Sequence, residues 1–167
     1  MSSLLPVVPP AERCAASLDS AEMENGDRET KPDLAGAGDG GRRLLIDAMN
    51  VIGSKPDKWW NHPDRAMREF TRAIDRYAAL TEGDIMVVFD KDPGNLPDPE
   101  RVEVVIAAWK GRNAADHEIV RIVSEADDPS DLRVVTSDKR LREQVSELGA
   151  GVIPAGAFRA RMERVIG

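Results

Sequence analysis

Four aspartates stand at positions where a predicted sheet would bring them together. Asp47 and Asp90 directly follow apolar runs, and Asp138 comes three residues after a third run. Asp116 falls in the first turn of a predicted helix. Four unpaired carboxylates in one cleft would repel one another and raise their own pKa values, and a divalent cation removes that cost. Oxygen ligands without cysteine favour Mg²⁺ or Mn²⁺ over zinc, and the reaction best suited to such a site is hydrolysis at phosphorus.

Each aspartate also has a purely structural interpretation. Asp138 follows Ser137, a good helix N-cap, so its carboxylate would then only complement a helix dipole. Asn113 and Asp116 have the spacing of a cap followed by an acid at the third helical position. The other two would be loop acids at strand ends. Because all four are expected at one edge of the sheet, we favour the metal site.

Strand and helix patterns alternate from residue 42 onward, and this alternation positions the acids. Helical spacing places Met67, Phe70, Ile74 and Tyr77 on a core-facing side of the first long helix. Continuous apolar strands between helices predict a three-layer α/β/α fold with a mainly parallel, roughly five-stranded sheet. The carboxyl ends of parallel strands form a ligand crevice at one edge. The predicted strands cover residues 44–46, 85–89, 102–106, 132–135 and 152–153.

The overall charge does not exclude a nucleic-acid partner. The chain has 167 residues, with 30 acidic and 23 basic side chains and a formal net charge of −7. Residues 1–41 carry eight acidic and three basic side chains, a charge of −5, which leaves −2 for residues 42–167. The first segment is rich in Gly, Pro, Ser and Glu, and it cannot bury enough surface to offset its ordering entropy. We predict a disordered acidic tail and Gly-rich linker at 1–41 and one globular domain at 42–167.

Composition excludes several other classes of protein. The single cysteine, Cys14, excludes an intramolecular disulfide framework and a cysteine-based zinc cluster. No apolar run approaches the ~18 residues that span a membrane. The first ten residues lack the basic region of a secretory signal. We therefore expect a cytoplasmic protein without a membrane partner.

Four sequence blocks resemble, in the correct order, the motifs of the NYN branch of PIN-like ribonucleases. Leu45–Ile52 is similar to the first-strand motif of that branch, Asp-Gly-x-Asn followed by apolar residues. Residues 87–90, 113–120 and 134–138 match the later blocks. The resemblance covers roughly residues 43–160 and looks most like the YacP-like NYN proteins. It implies that residues 42–167 form an NYN/PIN-like nuclease domain.

The resemblance also implies a function and roles for the site residues. The expected activity is that of a metal-dependent endoribonuclease holding one or two Mg²⁺ or Mn²⁺ ions. Asp47, Asp116 and Asp138 would be the principal acids and Asp90 a supporting one. The remaining roles fall to Asn50, which would orient a ligand or the scissile phosphate, and to Ser137, which would position the metal shell or cap a helix.

The sequence departs from the family pattern at two positions. His117 stands where relatives often carry a second acid, and Ala48 replaces the usual glycine. The first change removes a carboxylate, so the number of metal ions stays open. We interpret His117 as a helix-surface residue without a role in catalysis, with contact to phosphate or transfer of a proton as the alternative.

The three tryptophans of the chain fall in two predicted rim loops beside cations. Such aromatics suit single-stranded RNA, because base stacking contributes ~1–3 kcal/mol per base without demanding a sequence. Packing in the core or an interface is the alternative, and for Trp60 the two are evenly balanced. The predicted RNA-binding residues are Trp59, Trp60, Trp109, Lys110 and Arg112.

Four arginines recur at helical spacing between Arg65 and Arg76 and would form a phosphate-binding stripe. Glu69 and Asp75 lie on the same predicted helix and can pair with them. We therefore favour an ordinary solvated face for this helix.

Two other functions compete with the nuclease. A haloacid-dehalogenase-type phosphatase also begins at a strand-end aspartate, but it needs a second acid two residues later, where this chain has Met49. A non-catalytic RNA-binding or ribosome-associated module of the same fold stays open, because His117 replaces a carboxylate.

Overall fold

Five short apolar segments form one sheet in the computed structural model, which describes residues 42–167. The predicted tail and linker at 1–41 lie outside the described residues. The strand order is β3-β2-β1-β4-β5, and all four pairings are parallel. The predicted three-layer α/β/α fold class is thereby confirmed. The strands are β1 Arg43–Asp47, β2 Ile85–Phe89, β3 Val102–Ile106, β4 Leu132–Val135 and β5 Gly151–Ile153.

Helices cover both faces of this sheet. Within residues 42–167, none of them is both long and apolar enough to cross a membrane. The α-helices are α1 Ala48–Gly53, α2 Pro63–Leu80, α3 Ala114–Ser124, α4 Lys139–Glu147 and α5 Ala155–Ile166.

The sheet separates two hydrophobic cores. Leu44 and Ile46 of β1 face the core shared with α1, α2 and α5, while Leu45 faces the core shared with α3 and α4. This alternation follows from the two-residue period of a strand. Burial of each large apolar side chain stabilises the fold by about 1.5–3 kcal/mol, which fixes the register of β1 between its neighbours.

The longest helix agrees with its predicted core face. Met67, Phe70, Ile74 and Tyr77 of α2 are all buried, and Pro63 occupies the first turn as predicted. The N-terminus of α2 lies at the carboxyl edge of the sheet, and its C-terminus leads into β2 at the opposite edge.

The sequence analysis missed α1, the six-residue helix that follows β1 directly. Its apolar residues Ala48, Val51 and Ile52 are buried against the sheet, α2 and α5. A helix of this length is not stable by itself, so tertiary packing rather than sequence periodicity determines it.

The strand order places β1 at a topological switch point. The chain leaves β1 toward β2 on one side and later returns to place β4 on the other. In open parallel sheets, ligands bind in the crevice outside the carboxyl ends of the strands at such a point. Asp47 ends β1, and Asp138 follows β4 by three residues, so both lie at this crevice.

Candidate active site

A cleft of about 470 Å³ opens at the carboxyl edge of the sheet. The four predicted aspartates, Asn50 and Ser137 line it together, although they come from four separate parts of the chain. The full lining is Asp47, Met49, Asn50, Gly53, Ser54, Trp59, Asp90, Asn113, Asp116, Ser137 and Asp138.

Asp47 is the most deeply buried of the four acids, with 2% of its surface exposed. Its Oδ1 accepts a hydrogen bond from the backbone N–H of Asn50 (3.2 Å), and Oδ2 accepts one from Asn50 Nδ2 (2.7 Å). Burial raises the pKa of Asp47, the hydrogen bonds from Asn50 and Thr136 oppose the rise, and the charge on Asp90 adds to it. The carboxylate thus serves as N-cap of α1 while it faces the cleft.

Thr136 links two of the acids and was not predicted as a site residue. Its hydroxyl donates to Asp47 Oδ2 (3.1 Å) and accepts from the backbone N–H of Asp138 (3.2 Å). The side chain is fully buried, so these bonds satisfy a polar group that would otherwise be costly. The only sequence signal was a threonine at the end of an apolar strand.

Asn50 and Ser137 connect α1 to α5 through hydrogen bonds. The backbone N–H of Ser137 donates to Asn50 Oδ1 (3.4 Å), and Ser137 Oγ accepts from the N–H of Ala155 in α5 (3.1 Å). The helix cap considered for Ser137 is therefore made at α5. The cap of α4 is Asp138, whose Oδ1 accepts from the N–H of Leu141 (2.9 Å).

Asp90 caps α3 from a different strand. Its Oδ1 accepts from the backbone N–H of Ala115 (2.9 Å). Asn113 occupies the N-cap position of α3, as its spacing predicted, but with a left-handed backbone (φ 64°) its side chain makes no capping bond. Asn113 lines the cleft.

Asp116 is the acid whose charge is least compensated. Burial, followed by the charges on Asp47, Asp138 and Asp90, raises its pKa to about 6, and only His117 opposes the rise. Unlike the other three acids, its carboxylate accepts no hydrogen bond from any residue in the described range 42–167. It is therefore the group that a bound cation would stabilise most.

The acids of the cleft supply oxygen donors of the type that a hard metal ion prefers. Within residues 42–167, no three acidic, histidine or cysteine side chains approach closely enough to form a ready-made coordination shell. Each carboxylate has about four lone-pair positions, so oxygen sites remain on Asp47, Asp90 and Asp138 beside their hydrogen bonds. Such oxygen donors fit hard divalent cations in their chemistry, and a cation would have to draw the acids together.

The predicted RNA-binding residues divide into two groups. Trp59 lines the cleft. The other four are exposed and lie outside its lining, namely Trp60, Trp109, Lys110 and Arg112.

Trp109 lies beside His117 rather than in the cleft. The two rings stack with centroids 5.9 Å apart and an angle of 30° between their planes. Trp109 remains 71% exposed in this arrangement. His117 is on the surface of α3, as interpreted from the sequence, but it has an aromatic partner that the sequence did not reveal.

Within residues 42–167, one of the four α2 arginines forms an ion pair. Arg65 pairs with Glu69 (2.7 Å), as the solvated-face interpretation expects. Asp75, the other acid considered as a partner, accepts a hydrogen bond from the backbone N–H of Arg101 (2.7 Å).

Residues of the cleft that sequence reasoning missed come mainly from the missed helix. A short apolar pattern after β1 was the only signal for it, and no local signal marked the left-handed residue before α3. The missed lining residues are Met49, Gly53, Ser54 and Asn113, and the missed Thr136 contacts the site through Asp47.

Comparison with known proteins agrees with the predicted resemblance. The sequence model of the YacP-like NYN domain matches residues 44–166. In a crystal structure of a point mutant of Rae1 (YacP) from Bacillus subtilis, the matched sequence is 25% identical to this chain. The match covers 74% of this chain and 76% of the Rae1 chain, with a TM-score of 0.59. A second structure of Rae1 (YacP), 24% identical over 73% of this chain and 74% of that chain, gives a TM-score of 0.58 and shows the shared fold. No curated protein sequence matches the chain significantly.

Proposed function

The chain belongs to the YacP-like NYN domain family, and on that premise we propose that it is a metal-dependent endoribonuclease acting on single-stranded RNA. Membership of the family implies a ribonuclease-type function. The finer proposal is that phosphodiester bonds are hydrolysed at the aspartate-lined cleft, with Mg²⁺ or Mn²⁺ as cofactor, and that the protein acts in the cytoplasm.

One observation carries the proposal. Four carboxylates from separate strands and a helix line one cleft, and burial together with the charges on the other three raises the pKa of Asp116 to about 6. Three of these acids cap helices. Helix capping alone would not require a fourth, partly buried acid, Asp116, that accepts no hydrogen bond within residues 42–167. Such an arrangement is typical of sites that hold a cation or transfer a proton.

Asp47, Asp116 and Asp138 would hold the metal ion, with Asp90 in support. When bound, a divalent cation at such a site supplies activation of water, orientation of the phosphate and neutralisation of developing negative charge. His117 leaves the number of ions open between one and two.

The chain's own residues fix the acids in place. One N–H of the Asn50 amide donates to Asp47, and the second remains available to a phosphate oxygen. Thr136 holds Asp47, and Asp90 anchors the first turn of α3, which carries Asp116. Asn50 therefore orients both a carboxylate and the scissile phosphate.

The RNA strand would be held by aromatic stacking and by cations around the rim. Bases of single-stranded RNA stack on aromatic side chains irrespective of sequence, and Lys and Arg neutralise the backbone. The residues proposed for this role are Trp59, Trp60, Trp109, Lys110 and Arg112.

The test incubates purified protein with end-labelled single-stranded RNA and Mn²⁺ or Mg²⁺, with EDTA as a blank. Wild-type protein should produce fragments with 5′-phosphate and 3′-hydroxyl ends, and the double variant Asp47→Asn/Asp138→Asn should not. The matched control is Asp127→Asn/Asp131→Asn, two exposed acids near the opposite edge of the sheet. RNA binding without metal-dependent cleavage by the wild type would refute the nuclease, and equal cleavage by both double variants would refute the assigned site.

A non-catalytic RNA-binding or ribosome-associated module is the second candidate. The observation that favours it is the loss of one acid at His117, whose ring stacks on Trp109 instead of adding a carboxylate to the cleft. The same assay separates the two candidates, because this module would bind RNA and leave it intact with every metal.

A further inference from the structure

The cleft contains an aromatic and apolar wall in addition to its acids. Met49, Gly53 and Trp59 line it from α1 and from the short 3₁₀ helix Trp59–Asn61. Metal binding gives no role to Met49 or Gly53. A cleft of about 470 Å³ falls within the range of about 300–1,000 Å³ typical of small-molecule sites, which is larger than a cation needs.

Trp59 is held in a fixed position beside this space. Its side chain is half-buried and packs against the core formed with α1, α2 and α5. Its backbone N–H donates to Asp57 Oδ1 (3.2 Å). A Cβ built on Gly53 would lie 3.6 Å from Trp59 Cζ2, so the absence of a side chain at Gly53 leaves this part of the indole uncovered.

Arg159 of α5 contacts both segments that form this wall, the end of α1 and the segment before Trp59. Its Nη1 donates to the carbonyl oxygens of Val51 and Ile52 at the end of α1, both at 3.1 Å. Its Nη2 lies 3.9 Å from Asp57 Oδ2, in the segment that leads into Trp59. Only 19% of the Arg159 side chain is exposed, which distinguishes it from a solvated surface cation.

Trp109 provides the contrast. It is 71% exposed, its ring partner is His117, and it does not line the cleft. A surface that is already rigid loses less entropy on binding than a mobile one. Trp59 is therefore the better prepared of the two for a flat ligand.

We propose that Met49, Gly53 and Trp59 form a nucleobase subsite, in which one RNA base stacks on Trp59 while a phosphate of the same strand lies at the aspartates. Arg159 is the positioning residue of this subsite. The inference rests on the proposed function for its substrate class, and it adds which tryptophan binds a base and what holds it there.

The first test needs neither metal nor cleavage. In a Trp60→Phe/Trp109→Phe protein, Trp59 is the only tryptophan, and its fluorescence is followed during titration with adenosine. Saturable quenching by adenosine but not by ribose is expected, because only adenosine has a base to stack. No response, or an equal response to ribose, would overturn the subsite. Since this protein need not cut RNA, the result is independent of whether the nuclease proposal holds.

The second test keeps Trp59 in place. Gly53→Val puts methyl groups against the indole and should raise the KM for RNA by about 5- to 150-fold, the range that corresponds to losing one stacked base. The value of kcat and the thermal midpoint should change little. Gly156→Val in α5 is the matched control, because an added Cβ there meets nothing within 4 Å, and it should leave KM unchanged. An unchanged KM in Gly53→Val, or a larger effect in Gly156→Val, would contradict the proposal.

The third test separates positioning by Arg159 from simple stability. Arg159→Met should raise KM and weaken adenosine quenching, although Arg159 does not line the cleft. Arg159→Lys should bring KM and adenosine quenching part of the way back to the wild-type values. Arg164→Met, at an exposed position on the same helix, should change neither KM nor quenching. If Arg159→Met lowers the thermal midpoint while KM and quenching stay at wild-type values, the positioning role is wrong.

Discussion

Aspartates at the two edges of the sheet behave in opposite ways. At the carboxyl edge, Asp116 lies among three other acids, and its pKa is raised to about 6. At the amino edge, Asp128 accepts hydrogen bonds from the side chain and backbone N–H of Ser130, which lower its pKa. Asp84 at the same edge lies 3.5 Å from Arg43.

The two edges differ in whether the charge of each carboxylate is compensated by a hydrogen bond or an ion pair. Exposed acids at the amino edge cap turns or pair with cations, which is the ordinary use of a carboxylate in a fold. At the carboxyl edge, Asp47, Asp90 and Asp138 also cap helices. They surround Asp116, which has neither a capping bond nor a paired cation within residues 42–167. Perturbed groups clustered in a cleft are typical of functional sites.

The largest effect is expected from Asp116→Asn. Cleavage of RNA should fall by about 10²–10³-fold, because losing ~3–4 kcal/mol of transition-state stabilisation corresponds to that factor. At pH 7 without metal, the free energy of unfolding should instead rise, because the substitution removes a charge that three neighbours repel. Single-turnover cleavage and urea unfolding measure the two quantities. Loss of both activity and stability would show that Asp116 is structural.

Thr136→Val should have the next largest effect. Valine keeps the shape of threonine but removes the hydroxyl that binds Asp47 and the N–H of Asp138. The free energy of unfolding should fall by about 1–3 kcal/mol, the cost of leaving buried polar groups unsatisfied. Cleavage should fall as well, and Thr136→Ser should restore much of both. Full activity in Thr136→Val would remove Thr136 from the site.

Local patterns explain why the acids were predictable. The apolar runs dictate where β1 and β2 end, and parallel strands must end at one edge, so Asp47 and Asp90 could be placed together from sequence. Thr136 could not, because its partner Asp47 is 89 positions away and the contact depends on β4 pairing beside β1. A buried hydrogen bond between distant strands leaves no periodic signal.

The cap of α3 shows the same limit. Spacing favoured Asn113 as the cap because sequence analysis sees only neighbours. The side chain that caps α3 is that of Asp90, which lies 25 positions before its hydrogen-bond partner Ala115, and the left-handed backbone at Asn113 became apparent only in three dimensions. Helix α1 was missed because six residues carry too little periodicity, yet it supplies Met49 and Gly53 to the cleft.

The pH dependence of stability should carry the signature of Asp116. Its folded pKa of about 6 exceeds the ordinary value of 3.8, so the folded state binds the proton more tightly than the unfolded state does. Its contribution to stability is therefore fully present below about pH 4 and is lost as the pH rises through about 6. The loss should amount to about 1–2 kcal/mol, reduced by solvent screening because the group is partly exposed. Urea unfolding in EDTA between pH 4 and 7.5 measures it, and the difference from Asp116→Asn should grow with pH.

The smallest effect is expected at the amino edge, where Asp128→Asn should leave cleavage unchanged. The pKa of Asp128 is lowered, so its contribution to stability is present above the ordinary value of 3.8 and is lost as the pH falls through the folded value. This slope has the opposite sign to that of Asp116. Substitution should thus flatten the acid limb of the stability curve slightly, whereas Asp116→Asn flattens the neutral limb. If Asp128→Asn reduced cleavage as much as Asp116→Asn does, the two edges of the sheet would not differ in function. A carboxylate without a compensating partner would then not identify the active site.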